Sequence, residues 1–348
     1  MKKILFFADG TTIHTKKWID MFRNQFELYL ISFSKVHIKN VTCYCIDVGK
    51  ISTSGGNFKY LFHILKVYKL INYIKPDIIN AHFLTSYGFI ASLLRYKIPV
   101  LLTIHGSDIL IAPQKHFLYN LSAKFALSRL DYFFSAAKHI TTILEKKYKV
   151  PSSKISTIQY GVDVKKIIRL MGKIKDIDFV STRNLIKNSN VDIIIKAFKG
   201  YIENNRDKKI YIIGDGEEEN TLFELANSLN LKKNVIFLGR LDHDDLLKIL
   251  VRAKFYVSMT SSDGTSLSLL EAMASGAIPI VSDIPANRAV LSNYSFYSPI
   301  DVKQLTDTIE NCYYDNSIIE RNLKYIIKNA NLNKNQKKIK RIFLRFIR

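Results

Sequence analysis

Two carboxylates, Asp263 and Glu271, stand with seven residues between them in S-S-D-G-T-S-L-S-L-L-E-A-M-A-S-G (261–276), joined by small hydroxyl residues and an apolar, helix-forming run. An acid inside an apolar helix is costly unless something pairs with it. The segment follows the strand-like run F-Y-V-S-M and opens a helix at S-L-S-L-L-E-A-M-A-S. Free N–H groups at a helix N-terminus, together with the helix dipole, favour an anion. Gly264 lets a ligand approach the backbone closely, and Ser266 is placed to cap the helix. Glu271, about one turn inside, would repel a diphosphate and instead suits hydrogen bonds from ribose or sugar hydroxyls. The competing reading is a capping loop ahead of an ordinary amphipathic helix with Glu271 exposed.

The elements around these residues alternate between short apolar runs and longer helical patterns. The runs 2–8, 26–32, 77–83, 99–106 and 132–137 read as buried parallel strands, with helices over 15–24, 58–74, 87–94 and 118–129 between them. The rhythm restarts near Asp178, with strands D-F-V-S-T, K-I-Y-I-I-G-D-G, V-I-F-L-G-R, F-Y-V-S-M and I-P-I-V-S and helices over 191–204, 218–230, 242–251 and 268–275. This pattern predicts an α/β protein of two Rossmann-like, doubly wound domains facing across a cleft. The expected boundaries are 1–165 and 166–328, followed by a basic terminal helix, 329–348, packing back toward the first domain. Ligands of open α/β sheets bind beyond the carboxyl ends of the strands. His105, His82 and His14 all end or follow strands of the first half, as does Gly10; Arg183 follows the first strand of the second.

A chain of 348 residues suits about two domains, and 47% apolar residues suit a globular core. Three cysteines, Cys43, Cys45 and Cys312, form neither a metal spacing nor an even disulfide set, which fits a reducing cytosol. Cys43 and Cys45 fit a strand. The apolar start is too short for a signal peptide, and no window approaches a membrane span. The charge is +22, from 52 basic and 30 acidic residues, which attracts polyanions without choosing among them. The basic residues are dispersed and no nucleic-acid motif occurs, so nucleic acid is not expected as a partner. Two basic amphipathic stretches, 59–75 and 337–348, read either as helices packed on the domain or as interfacial helices on an anionic membrane.

The 261–285 segment resembles the signature of glycosyltransferase family 4, retaining enzymes of the GT-B fold that use nucleotide sugars. That family usually reads E-G-x-G-x-x-x-x-E-A-M-A-x-G-x-P-V-V. Here Asp263 and Ser266 replace the first acid and second glycine, as in a sub-branch reading S-D-G-x-S. I-G-D-G (213–216), V-I-F-L-G-R-L (235–241), I-Q-Y-G-V-D (158–163) and T-I-H-G-S-D (103–108) resemble further family segments in order. The resemblance implies that Arg183 meets the donor diphosphate, Glu271 orients ribose, and Asp263 and His105 hold the sugar, His105 as a hydrogen-bond donor. It places Gly10, Lys187, Gly214, Gly239, Arg240, Gly264, Thr265, Ser266 and Leu267 in the donor site, and His14, Lys17 and His82 on the acceptor side. Lys187 departs from the family spacing, and the turn at Gly214 reads equally as a plain strand-to-helix turn.

The expectation is therefore a metal-independent, retaining, hexosyltransferase-type glycosyltransferase with no cofactor. It would move a sugar from a nucleoside diphosphate sugar to a glycan or lipid-linked acceptor in cell-surface polysaccharide or lipid-linked oligosaccharide assembly. It would be cytoplasmic, with the inner membrane face as a further partner surface. The alternatives are a nucleotide-sugar epimerase of the same fold and a catalytically weak partner subunit of a transferase.

Overall fold

The computed structural model describes residues 1–48, 58–94, 97–172, 174–291 and 295–347; Lys173 and Arg348, within the stretches read above, lie outside them. The chain divides into two compact units. One comprises Met1–Gln159 with Lys334–Arg348, the other Tyr160–Asn333.

The first unit is built on seven parallel strands: β1 (Lys3–Phe7), β2 (Glu27–Ser32), β3 (Thr42–Cys45), β4 (Ile78–His82), β5 (Val100–Ile104), β6 (Tyr132–Ser135) and β7 (Ile155–Thr157), in the order β3-β2-β1-β4-β5-β6-β7. β4 and β5 are buried at every residue, as expected for strands covered on both faces. Strand order reverses about β1, so the crevice between the carboxyl ends of β1 and β4 is the topological switch point. Cys43 and Cys45 lie on β3.

The second unit carries β8 (Ile177–Ser181), β9 (Ile210–Ile213), β10 (Val235–Gly239), β11 (Ala253–Ser258), β12 (Ile278–Ser282) and β13 (Phe296–Ser298), in the order β10-β9-β8-β11-β12-β13. All its pairings are parallel. Its switch point lies between β8 and β11. Both units are thus doubly wound α/β sheets.

Two local expectations are corrected, and one pair of alternatives is narrowed. Residues Phe58–His63 wind as a 3-10 helix, and the α-helix begins at Ile64. The helix expected from Tyr87 is preceded by a π-helical turn, Phe83–Gly88, directly after β4. Phe83 adopts φ 66°, a conformation rare for a bulky residue, and the Asp108 carboxylate accepts the Leu84 N–H at 2.8 Å to hold the turn. Of the two readings of the terminal helix, Leu332–Phe346, the packed one fits its apolar stripe. Ile339, Ile342 and Phe343 are buried, and the Phe343 ring lies 4.5 Å from Phe22 and 5.8 Å from Phe134.

Candidate functional site

Each unit gathers its chemistry-bearing side chains at its own switch point. In the second unit, the loop after β8 presents Arg183 and the loop after β11 runs through Asp263 into the Leu267–Ala274 helix. Ser266 is the N-cap, accepting the Leu269 N–H at 3.2 Å. That leaves the Leu267 and Ser268 N–H groups at the helix end without an intrahelical acceptor.

Arg183 is lodged against this end. Its Nη1 donates to Asp263 Oδ2 at 3.0 Å and to Ser266 Oγ at 2.9 Å, with Ser268 Oγ at 3.4 Å. The side chains of Arg183 and Asp263 are only 16% and 18% exposed. Burial works against the guanidinium charge. The Asp263 carboxylate more than offsets this, leaving the Arg183 pKa above its ordinary value. A fixed cation, a partly neutralising carboxylate and a helix N-terminus therefore share one small surface. Such a surface suits an anion whose charge can share or take over the Asp263 contact.

The floor under Arg183 is the turn after β9. Gly214 has φ 143°, and a Cβ there would stand 2.4 Å from the Arg183 carbonyl oxygen. The Leu185 N–H donates to the Asp215 carbonyl at 2.8 Å, and the Gly214 N–H to the Gly239 carbonyl at 2.9 Å. Gly214 and Gly239 thus seat the Arg183 loop. Arg240 is exposed and pairs loosely with Asp215 at 3.4 Å.

Glu271 is 7% exposed, inside the helix that Ser266 caps. It is not the exposed acid of an ordinary amphipathic helix. Its Oε1 accepts from His243 Nε2 at 2.8 Å, so the pairing demanded by a buried acid is met. Gly264 is buried, while Thr265 and Leu267 are partly exposed on the same loop. Lys187 is exposed in the single turn Lys187–Ser189.

The residues beside Lys187 matter more to the loop than the sequence suggested. Asn188 Nδ2 donates to Thr260 Oγ1 and to the Ser262 carbonyl, at 2.9 and 3.0 Å. Asn190 Nδ2 donates to the Met259 carbonyl and Ser261 Oγ, at 2.8 and 2.7 Å. Together they pin the loop that carries Asp263. Nothing in the spacing of N-S-N pointed to this, and His243, 28 residues from Glu271 in a differently predicted element, was equally unmarked.

In the first unit, Gly10 is buried after β1. A Cβ on it would stand 2.6 Å from Leu30 Cδ2 and Val36 Cγ1, so its missing side chain serves packing. His14 is exposed in the first turn of the Ile13–Phe22 helix, with Lys17 part-buried one turn on. The His14 ring lies 5.3 Å from that of His105. His82 ends β4 and is fully buried among Phe6, Trp18 and His105. Its Nε2 meets Asn80 Oδ1 at 2.9 Å, and its Nδ1 meets His105 Nε2 at 3.2 Å. Burial, with His14 nearby, lowers His82 to about 3. Burial, then His82 and His14, hold His105 well below the usual imidazole value.

Asp108, next to His105, accepts the N–H groups of Leu84, His105 and Gly106 at 2.8, 3.1 and 2.8 Å. Burial pushes its carboxyl pKa up against these bonds. Its observed work is to fix the His105 backbone. The structure therefore brings His14, His82 and His105 together in one unit, and Arg183, Asp263, Ser266 and Glu271 in the other. Among the described residues, no group of three His, Cys, Asp or Glu side chains could hold a metal ion.

The chain matches two family models in order: "Glycosyl transferase 4-like" over residues 3–137 and "Glycosyl transferases group 1" over 170–341. It is 30% identical over 256 residues to UDP-Gal:alpha-D-GlcNAc-diphosphoundecaprenol alpha-1,3-galactosyltransferase of Escherichia coli, a match covering 66% of this chain and 64% of that protein. It is 25% identical to N-acetyl-alpha-D-glucosaminyl L-malate synthase of Bacillus anthracis, over 58% of this chain and 55% of that one. The chain thus matches less than two thirds of the length of either. Its backbone superposes on that of Anabaena HepE, solved in complex with UDP, with a TM-score of 0.77 at 14% identity over 99% of both chains. With two matched halves on two doubly wound sheets, the chain has the GT-B fold and belongs to glycosyltransferase family 4.

Proposed function

We propose that the chain is a retaining glycosyltransferase that moves a sugar from a nucleoside diphosphate sugar to an acceptor hydroxyl, in cell-surface polysaccharide or lipid-linked oligosaccharide assembly. The observation that carries this reading is Arg183 lodged beside Asp263 and Ser266 at the N-terminus of the Leu267–Ala274 helix. That surface suits a diphosphate leaving group, and Glu271 stands one turn further in as an acceptor for ribose hydroxyls. The name of the first of these relatives, a UDP-Gal alpha-1,3-galactosyltransferase, favours transfer over the epimerase and partner-subunit alternatives.

In this mechanism Arg183 and the helix N–H groups take the charge that develops on the departing diphosphate, without a metal. Asp263 and His105 hold the sugar. The acceptor hydroxyl attacks from the face the diphosphate leaves, and the leaving phosphate oxygen takes its proton. The anomeric configuration is thereby kept. Gly264, Thr265 and Leu267 line the approach to the diphosphate, and Gly239 and Arg240 the approach to the base. Lys187 is exposed in the structure, so Arg183 carries the larger share.

The relative that acts on a diphosphoundecaprenol acceptor supports a lipid-linked acceptor here, as does one surface of the first unit. Around the Ile64–Ile74 helix, Phe62 is 88% and Leu65 72% exposed, beside exposed Lys59, Lys66 and Lys69. Apolar side chains set among lysines suit the interface of an anionic bilayer. No helix among the described residues is long and apolar enough to cross one. The test incubates the chain with UDP-, GDP-, ADP- and dTDP-sugars and diphosphoundecaprenol-linked acceptors, with and without EDTA. Expected are nucleoside diphosphate release that needs acceptor, a product with the donor's anomeric configuration, and no loss in EDTA. Conversion of donor alone into a second nucleotide sugar, or an inverted product, would reject the reading.

A further inference from the structure

The hydrogen-bond chain behind His105 has a fixed direction. Asn80 Nδ2 donates to the Leu101 carbonyl at 3.1 Å, and to Thr103 Oγ1 at 3.1 Å. A carbonyl can only accept, so the Asn80 amide cannot be turned over, and its Oδ1 must face His82. Oδ1 can only accept as well, so the proton on the 2.9 Å contact sits on His82 Nε2. A neutral imidazole has one N–H, which makes His82 Nδ1 an acceptor. The 3.2 Å contact to His105 Nε2 is then satisfied only if the proton sits on His105 Nε2. Neutrality follows from the surroundings: His82 is fully buried between Phe6 and Trp18, and burial, the largest influence on both rings, disfavours a charge on either of them.

We infer that Asn80 and His82 are positioning residues that lock His105 in its Nε2–H tautomer, so that its Nδ1 lone pair is an obligate hydrogen-bond acceptor. Among the described residues none hydrogen-bonds this nitrogen, and His105 is partly exposed at the end of β5. The group that His105 recognises is then a hydroxyl or another donor, and acceptor-only groups such as a phosphate oxygen or a carbonyl are disfavoured at that position. This reverses the polarity expected from the sequence, where His105 was assigned as a donor. It rests on the proposed function only for the statement that the hydroxyl belongs to a sugar.

The test is a long-range 1H–15N correlation spectrum of the resting full-length chain, labelled with 15N-histidine, at pH 7.5. His82→Asn and His105→Asn identify the two rings by loss of their signals. Expected are two neutral rings, each protonated at Nε2 and bare at Nδ1. A His105 ring protonated at Nδ1, or charged, overturns the inference. Asn80→Leu removes the acceptor that starts the chain, and its His105 signals should move to the average of two tautomers. Unchanged His105 signals in a folded Asn80→Leu would show that the relay does not set the tautomer. Because no nucleotide sugar is present, the result is independent of whether the chain transfers sugar, and the wild-type spectrum decides even if the variant does not fold.

Discussion

Replacing Asp263 with Asn keeps the shape of the side chain and removes its charge, which isolates what the Arg183 pair does. The two groups meet at 3.0 Å with less than a fifth of each side chain exposed. Two unit charges at about 4 Å, in an effective dielectric of about 20, attract by about 4 kcal/mol. Removing one partner of a buried pair costs about 3–5 kcal/mol, because the other charge stays behind. Asn retains one hydrogen bond and both groups keep some solvent, so about 2–3 kcal/mol is expected for Asp263→Asn. For a unit the size of Tyr160–Asn333 that corresponds to a fall in Tm of roughly 4–12 °C. The informative arm adds a nucleoside diphosphate at saturating concentration. The diphosphate supplies the counter-charge that the variant lacks, so the Tm gap to wild type should narrow. Differential scanning calorimetry of both proteins, with and without nucleotide, reads this directly. No gap without nucleotide, or a gap that widens with it, would refute the assignment of Asp263 as counter-ion to Arg183.

Three further outcomes follow from the same geometry. Glu271→Gln should weaken binding of a ribonucleoside diphosphate by roughly 10- to 100-fold, the loss of about 1.5–3 kcal/mol from a charged hydrogen bond, while barely affecting its 2′,3′-dideoxy analogue. Isothermal titration compares the two, and an equal loss on both would remove Glu271 from the ribose. Gly214→Ala puts a Cβ against the Arg183 carbonyl at a backbone angle that disfavours side chains. It should cost about 1–3 kcal/mol in a urea melt and also weaken diphosphate binding; stability loss with unchanged binding would separate this turn from the site. Finally, His82 and His105 are held below their unfolded pKa near 6.5. The unfolded chain therefore binds more protons as pH falls from about 6.5 toward 3, and stability present above that window is lost through it. His82, lowered to about 3, contributes about 2 kcal/mol of loss by pH 5, and His105 adds to it in the same direction. The loss is visible in urea midpoints at pH 7 and 5, and midpoints that agree at the two pH values would mean that these rings are not buried neutral.

The fold was legible where the chain is most repetitive. Parallel strands buried on both faces must be continuous apolar runs, and the runs 77–83, 99–106 and F-Y-V-S-M announce themselves. Short edge strands do not. β7 and β13 have three residues each and carry too little pattern to separate them from loop. The site was legible where function needs a fixed local order, as in Asp263-Gly264-Thr265-Ser266 ahead of a helix. It was not legible where function depends on contacts between strands. Asn80 and His82 look like the tail of a buried strand, and only the register that sets Thr103 beside His82 shows the relay. The polarity of His105 is likewise a property of a hydrogen-bond chain, which one-dimensional spacing does not encode. The terminal helix was ambiguous for a related reason: its apolar stripe fits a core or a membrane equally until Phe22 and Phe134 are seen against it.

The most direct test of the proposed donor site is a calorimetric titration of the full chain with UDP, GDP, ADP and dTDP, repeated on Arg183→Ala. The account predicts that at least one nucleotide binds the native chain, and that the substitution weakens it at least about 100-fold, the equivalent of about 2.7 kcal/mol. Nucleotide binding that is undiminished by loss of Arg183 would place the diphosphate elsewhere and contradict the account.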